Sequence, residues 1–313
     1  MLVDVMVPAF GDGALLRETV QSVLRQHDPG WRLTVIDDGV AAGQDGALEP
    51  WLTGLGDARV RYLANPRRLG INRNFQRCAD EARAELVVLL GTDDRLLPDF
   101  VGRVRQVATD VPDAAFVHTG AVVIGPDGQP ARPLADRVKR LTAPAVRDRR
   151  VMGGEQLAVS LLHGNWMYFP SVVFRREVLQ RHGFRPGYDI VLDLDLYLRI
   201  IFDGGQAVLL ERPGVEYRRH GVSLSSAQAR DGSRFAEELG YFAEIAGLAA
   251  AAGWRRAARA ARWHLTSRLH TAAKVPALLA AGDRRTAVAL LRTATSRARR
   301  ARCGEGARQI SDR

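Results

Sequence analysis

The chain has 313 residues, of which 46% are hydrophobic and 26% charged, proportions typical of a soluble globular enzyme with a substantial core. Its two cysteines, Cys78 and Cys303, lie far apart without a CxxC pair or a nearby His cluster, which argues against a disulfide framework or a zinc site. The N-terminus lacks signal-peptide features, and no segment approaches the about 20 apolar residues of a spanning helix. We therefore expect a cytoplasmic protein.

The net charge of +10 is distributed unevenly along the chain. Residues 251–313 contain 15 Lys/Arg against 3 Asp/Glu, a net of +12, so residues 1–250 carry −2. The basic stretch is rich in alanine and arginine, with leucines at mixed helical spacing. It predicts amphipathic helices whose basic face meets water, an anionic membrane surface or a partner.

The first hundred residues alternate between strand and helix patterns. Apolar, β-branched runs predict strands over 3–10, 32–39, 60–66 and 85–94, and helical spacing predicts helices over 15–26 and 71–84. This alternation indicates an α/β fold with a parallel sheet covered on both faces. The predicted strands end in "PAF", "DDG", "NP" and "TDD", so we expect polar clusters to meet at one sheet edge, where ligands bind in such folds.

Two adjacent carboxylates, Asp93 and Asp94, end the fourth predicted strand. No GxGxxG follows the first strand and no P-loop motif occurs, so phosphate has to be neutralised in another way. Paired carboxylates are hard oxygen ligands suited to Mg²⁺ or Mn²⁺, which could bridge them to a phosphate. A solvated turn that caps the next helix is the alternative from the dipeptide alone.

A second acidic motif, "LDLDLYLRI", places Asp193 at the start of an apolar helix pattern. A carboxylate held at a helix start could act as a general base, and an N-terminal cap is the other interpretation. Asp195 is interpreted as a structural or acceptor-contacting acid or, equally, as a catalytic one.

The segment between these motifs contains further candidates. Trp166, Tyr168 and Ser171 either line an acceptor site or pack in the core. The Arg- and Pro-rich stretch 131–150 predicts a mobile insertion that could order over a bound donor.

In order and spacing, these stretches resemble an inverting family 2 glycosyltransferase of the GT-A fold. The matching segments are "VMVPAFGDGALLRETVQSVLRQ", "LTVIDDG", "NPRRLGINRNFQRCADEARAELVVLLGTDDRLLPDF", "FPSVVFRREVL", "LDLDLYLRI" and "YRRHGVSLS". The resemblance implies a Rossmann-like GT-A core with a mostly parallel sheet over residues 1–226. Residues 1–120 would form the nucleotide-binding half, 121–226 the acceptor-binding half, and 227–313 a basic helical C-terminal region.

The resemblance also implies which residues bind the nucleotide. Pro8 and Phe10 fall where the family lines the base, and Asp38 where an acid hydrogen-bonds the base. Arg73 falls where a basic residue approaches the diphosphate. Val40 replaces the usual Ser after "DDG", which could alter the choice of nucleotide.

The metal and catalytic positions follow from the same resemblance. "GTDD" falls on the DxD-type motif, so Asp93 and Asp94 would bind Mn²⁺ or Mg²⁺, with Asp93 also contacting the donor and His220 reaching the metal or diphosphate. Asp193 matches the catalytic base. Gly91 stands where many members have the first Asp, which puts a ribose contact in doubt, and Leu192 stands in place of a Glu.

The expected function is therefore metal-dependent transfer of a sugar from a nucleotide-sugar, with UDP-sugar favoured, to a hydroxyl acceptor with inversion. The acceptor could be a carbohydrate, a lipid-linked group or a small molecule. A nucleotidyltransferase relative is disfavoured because "PAFGDGALLRE" lacks the expected Gly- and Lys-rich opening.

The alternative of another class is a catalytically inactive GT-A-like binding protein whose basic tail contacts nucleic acid or membrane. Trp254 and Trp263 do not share a helical face, so no nucleic-acid partner is expected. Peripheral contact with an anionic membrane through the C-terminal region stays open.

Overall fold

The computed structural model describes residues 1–11, 13–40, 48–219 and 233–263. The chain divides into two compact units, Met1–Leu161 with Asn165–Ser223, and Leu162–Gly164 with Leu224–Arg313. His220, the expected boundary after residue 226 and the basic segment from residue 264 onward lie outside the described residues. None of the helices in the described ranges combines the length and hydropathy needed to cross a bilayer.

The first unit is built on two sheets. The larger one contains the eight strands β1 Val3–Gly11, β2 Trp31–Val40, β3 Val60–Ala64, β4 Leu86–Leu89, β6 Ala114–His118, β8 Arg149–Gly153, β9 Val172–Arg175 and β10 Gln206–Leu210, in the order β3-β2-β1-β4-β9-β6-β10-β8. The smaller sheet contains β5 Arg95–Leu96, β11 Val215–Arg218 and β7 Ala121–Ile124, in that order.

Most strands of the larger sheet run in one direction. Strands β3, β2, β1 and β4 are parallel neighbours, and β6 and β10 share their direction. Strands β9 and β8 run antiparallel to their partners. The predicted mostly parallel sheet is therefore confirmed.

Helices connect these strands, and the described part of the second unit is also helical. In the first unit they are α1 Gly13–Leu24, α2 Leu48–Gly54, α3 Ile71–Glu81, α4 Phe100–Asp110, α5 Leu134–Thr142, α6 Gly154–His163, α7 Arg176–His182 and α8 Leu192–Phe202, with a 3₁₀ turn at Phe169–Ser171. Helix α6 continues into the short segment assigned to the second unit. Within residues 233–263, the second unit contains α9 Ser233–Ala251 and α10 Arg255–Trp263.

The core of the first unit explains the sequence pattern of its strands. Strand β1 lies between β2 and β4, so its residues 3–9 are buried on both faces and read as a nearly unbroken apolar run. Helix α1 buries Leu16, Val20 and Val23, which recur at helical spacing and belong to the same core cluster. Each such side chain contributes about 1.5–3 kcal/mol when fully buried.

Four predicted elements, α1, β3, α3 and β4, end two to five residues earlier than expected. Helix α3 stops at Glu81 because Ala82 takes an extended conformation, and the buried carboxylate of Asp4 accepts the N–H groups of Arg83 and Ala84 at 2.5 and 2.6 Å. Strand β4 ends at Leu89, so the paired carboxylates lie in the turn after it. Residues 131–150 contain α5 and the start of β8, and the mobility of this stretch stays a prediction.

Candidate functional site

The carboxyl ends of β1 to β4 meet at one edge of the larger sheet. The Thr92 hydroxyl, after β4, donates to the carbonyl of Pro8 in β1 at 3.4 Å. The N–H of Asn65, after β3, donates to the carbonyl of Asp37 in β2 at 2.8 Å. The polar segments that follow these strands therefore converge as the sequence predicts.

The turn after β4 holds a buried carboxylate beside a second one. Asp94 is buried, and its Oδ1 accepts the main-chain N–H of Arg218 at 2.9 Å. Its carbonyl accepts the Thr19 hydroxyl at 2.7 Å, which ties the turn to α1. Burial, followed by the charge of Asp93, raises the pKa of Asp94 well above its ordinary value.

Gly91 has no side chain, which allows both carboxylates to lie close to its Cα. A Cβ built on Gly91 would overlap Oδ2 of Asp94 and would lie 3.3 Å from Oδ1 of Asp93. Two neighbouring carboxylates are hard oxygen ligands of the kind that Mg²⁺ and Mn²⁺ prefer. Within the described residues, no group of three or more His, Cys, Asp and Glu side chains could hold a metal, and the proposed third ligand, His220, lies outside them.

Arg218, which the sequence analysis missed, fixes this turn. Its buried guanidinium donates to the carbonyl of Asp93 at 2.9 Å and to that of Pro126 at 3.0 Å, and pairs with the carboxylate of Glu18 at 2.5 Å. The arginine ends β11, so the smaller sheet sets the geometry of the acidic turn. In "YRRHG" nothing in the spacing distinguishes this buried arginine from its neighbour Arg219.

Asp38 organises the loop that leads into α3. Its buried carboxylate accepts the N–H groups of Leu69 at 2.6 Å and Gly70 at 2.8 Å, and the side-chain amide of Asn65 at 2.7 Å. A carboxylate has about four acceptor positions, so room for a further hydrogen bond remains. The contact of Asp38 with a nucleotide base stays a prediction.

The other predicted nucleotide contacts lie around the same edge. Phe10 is 39% exposed at the end of β1, and the guanidinium of Arg68 lies 4.2 Å from its ring centre. Pro8 lies within β1, and Arg73 is exposed in the first turn of α3. Their roles toward a ligand stay predictions.

Asp193 is the second residue of α8. Its Oδ2 accepts the side-chain amide of Asn165 at 2.7 Å, and its Oδ1 accepts the N–H of Leu194 at 2.7 Å. Burial raises the pKa of Asp193, and these hydrogen bonds and the nearby charge of Lys139 oppose the increase. Asn165 precedes the aromatic run singled out in the sequence, but no pattern pointed to it. The role of Asp193 as base stays a prediction.

Asp195 serves a different purpose. It is buried, and its carboxylate pairs with Arg199 at 2.8 Å and with Arg185 at 3.1 Å. Arg199 also donates to the carbonyls of His182 and Gly183 at the end of α7. Of the structural, acceptor-contacting and catalytic roles considered from the sequence, this geometry favours the structural one.

The predicted acceptor-lining residues are largely packed into the protein. Trp166 is buried and donates its indole N–H to the Ser160 hydroxyl at 2.9 Å, and the buried Ser171 hydroxyl donates to the carbonyl of Tyr168 at 2.7 Å. The Tyr168 hydroxyl donates to Asp136 on α5 at 2.7 Å. These contacts support core packing for Trp166 and Ser171 and link Tyr168 to α5.

The comparisons with known proteins agree with this architecture. A family model described as glycosyl transferase family 2 matches residues 4–183. Uncharacterized protein MT1568 of Mycobacterium tuberculosis is 29% identical over 239 residues, which cover 72% of this chain and 70% of that protein. The putative teichuronic acid biosynthesis glycosyltransferase TuaG of Bacillus subtilis is 22% identical over 225 residues, which cover 72% and 82% of the two chains.

Solved structures of TarS from S. aureus show the same fold. The structure of residues 1–349 with UDP-GlcNAc has a TM-score of 0.56 and 11% identity, and the match covers 78% of this chain and 66% of that one. The complex with UDP has a TM-score of 0.55 and 9% identity, with 93% and 90% covered. Because the family model matches more than half of the sequence, the chain belongs to glycosyl transferase family 2 and is a transferase with the GT-A fold.

Proposed function

We propose that this glycosyltransferase moves a sugar from a UDP-sugar to a hydroxyl acceptor with inversion, in a reaction that depends on Mn²⁺ or Mg²⁺. The observation that carries the proposal is the pair Asp93 and Asp94, whose carboxylates lie side by side against Gly91 in the turn after β4. The UDP and UDP-GlcNAc complexes of TarS support a uridine nucleotide as the donor's carrier.

On the donor side, Asp93 and Asp94 would hold the cation, and His220 would approach the cation or the diphosphate. When bound, the cation would neutralise the diphosphate and stabilise the charge that grows on the leaving UDP. Arg218 contributes by holding the Asp94 carboxylate through its N–H and the Asp93 carbonyl through its guanidinium, which fixes the turn that carries both acids.

The nucleotide itself would be bound by four residues of the same sheet edge. Pro8 and Phe10 would line the base, Asp38 would hydrogen-bond the base, and Arg73 would approach the diphosphate. We place this nucleotide site in residues 1–120, the acceptor site in 121–226 and a separate basic region in 227–313, and we propose a cytoplasmic location.

On the acceptor side, Asp193 would take the proton of the acceptor hydroxyl while the acceptor oxygen attacks the anomeric carbon of the donor sugar. The new carbon–oxygen bond forms on the face opposite the breaking bond to UDP, which inverts that carbon. The pKa of Asp193, raised by burial, strengthens it as a base. Within the described residues the buried Oδ1 of Asn165 has no hydrogen-bond partner, so it could accept a hydrogen bond from the acceptor.

A panel of UDP-, GDP- and dTDP-sugars tests this function. Release of each nucleoside diphosphate is measured with a panel of hydroxyl acceptors, in Mn²⁺ and in EDTA. We expect release of UDP in Mn²⁺ and its loss in EDTA. Release of GDP or dTDP alone, or full activity in EDTA, would contradict the donor or the cation assignment.

A further inference from the structure

Helix α5 presents an apolar stripe to solvent. Leu134 is 74% exposed, Val138 43% and Leu141 85%, although large aliphatic side chains are usually buried. At 3.6 residues per turn, these three positions fall within an arc of about 60° on the helix. Single exposed apolar side chains are ordinary, but a contiguous stripe marks an interaction surface.

The opposite face of α5 makes polar contacts with the rest of the first unit. Asp136 is buried, and its carboxylate accepts the Tyr168 hydroxyl at 2.7 Å and pairs with the guanidinium of Arg219 at 2.7 Å. The Lys139 ammonium lies 4.5 Å from the ring centre of Tyr168. Rotation of α5 about its axis to bury the stripe would break these contacts, so they keep the apolar side of the helix facing solvent.

The charge around the stripe is strongly positive. Arg132, Arg137 and Arg140 are exposed on or beside α5. Residues 131–150 contain seven Lys/Arg and two Asp, a net of +5, whereas the rest of residues 1–250 carries −7. The partner of this surface is therefore expected to be anionic.

We propose that α5 docks on the surface of an anionic lipid bilayer. Leu134, Val138 and Leu141 would enter the boundary between headgroups and acyl chains, while the flanking arginines contact lipid phosphates. Three aliphatic side chains on a nine-residue helix offer far less than the about 800 Å² per partner of a standard protein interface. A bilayer requires no complementary shape, and it offers acyl chains to the aliphatic side chains and phosphates to the arginines. The proposal does not depend on the proposed reaction, because lipid binding needs neither donor nor acceptor.

Sedimentation of the full chain with vesicles tests the proposal. The vesicles are pure phosphatidylcholine or phosphatidylcholine with phosphatidylglycerol. The wild type is expected to bind the anionic vesicles at least tenfold more tightly than the neutral ones. Leu134→Asp/Leu141→Asp and, separately, Arg137→Glu/Arg140→Glu should each weaken anionic-vesicle binding at least tenfold.

Matched controls keep the result specific. Leu2→Asp changes another exposed aliphatic residue, and Arg25→Glu another exposed arginine, and both should bind vesicles within about twofold of wild type. UDP binding and thermal melting of every variant report on the fold and the donor site separately. Equal binding of the wild type to both vesicles, or wild-type binding by the α5 variants, overturns the proposal. A concentration-dependent dimer that Leu134→Asp/Leu141→Asp abolishes would identify a second copy of the chain as the occupant instead.

Discussion

At the scale of single residues, the buried carboxylate of Asp94 lowers the stability of the cation-free protein at neutral pH. Its pKa is raised in the folded state, so folding takes up a proton and the stability of the cation-free protein falls as pH rises above about 3.9, the ordinary value for Asp. Asp94→Asn removes this titration and can still accept the Arg218 N–H. In EDTA at pH 7 to 8 we expect its Tm to exceed that of wild type by about 2–4 °C, with the difference shrinking toward pH 4.

The exposed Asp113 provides the control for this measurement, since Asp113→Asn should leave Tm unchanged. Added Mn²⁺ should raise the Tm of wild type and leave that of Asp94→Asn unmoved. A variant that melts below wild type across the whole pH range would contradict this account of Asp94.

Asp193 and Asn165 are separable by their effects on pH dependence. Asp193→Asn keeps the size of the side chain but removes its basicity, so kcat should fall by about 10²–10⁴ with UDP binding near normal. Asn165→Ala removes a hydrogen bond that lowers the pKa of Asp193. The base must be deprotonated, so the acid limb of the pH–rate profile should move to higher pH in Asn165→Ala. An unmoved acid limb would show that Asn165 does not tune the base.

At the scale of elements, Asp38 connects the end of β2 to the start of α3. Asp38→Ala leaves the N–H groups of Leu69 and Gly70 without their acceptor, whereas the side-chain amide of Asn65 keeps its bond to Asn74, and we expect a cost of about 2–4 kcal/mol in the free energy of unfolding. Hydrogen exchange at the two main-chain amides should accelerate.

Asp37→Ala is the matched control for this loop. Asp37 is less buried, and its carboxylate accepts the Gly39 N–H and the Tyr62 hydroxyl. Its removal should cost about 0.5–1.5 kcal/mol. If Asp38→Ala has the same Tm as wild type and loses only UDP affinity, Asp38 contacts the base and does not stabilise the loop before α3.

The elements that the sequence predicts well are those with a local signature. Strands buried on both faces read as apolar runs, and α1 and α3 follow helical spacing, so both were found to within a few residues. The insertion of β9 between β4 and β6 rests on pairings such as Val87 with Phe174, which no local pattern encodes. Likewise, motif order identified the candidate acids, whereas Arg218 and Asn165 come to the site only through tertiary packing.

At the scale of the whole molecule, the basic C-terminal segment should be dispensable for donor binding. Residues 264–313 carry a net charge of +8, and every candidate residue lies at or before His220. A chain ended after Trp263 should bind UDP within about twofold of the full chain, as measured by calorimetry. A folded truncation that loses UDP binding would place part of the site in the removed segment.

The most direct test of the account is a calorimetric titration of UDP into the full chain, in Mn²⁺ and in EDTA. For wild type we predict at least tenfold tighter binding in Mn²⁺. Asp94→Asn and Gly91→Ala should lose this difference, the latter because its Cβ displaces the Asp94 carboxylate, whereas Gly54→Ala adds a Cβ into open space and should retain it. Equal wild-type affinity in Mn²⁺ and EDTA, or a full Mn²⁺ effect in Asp94→Asn, would contradict the account.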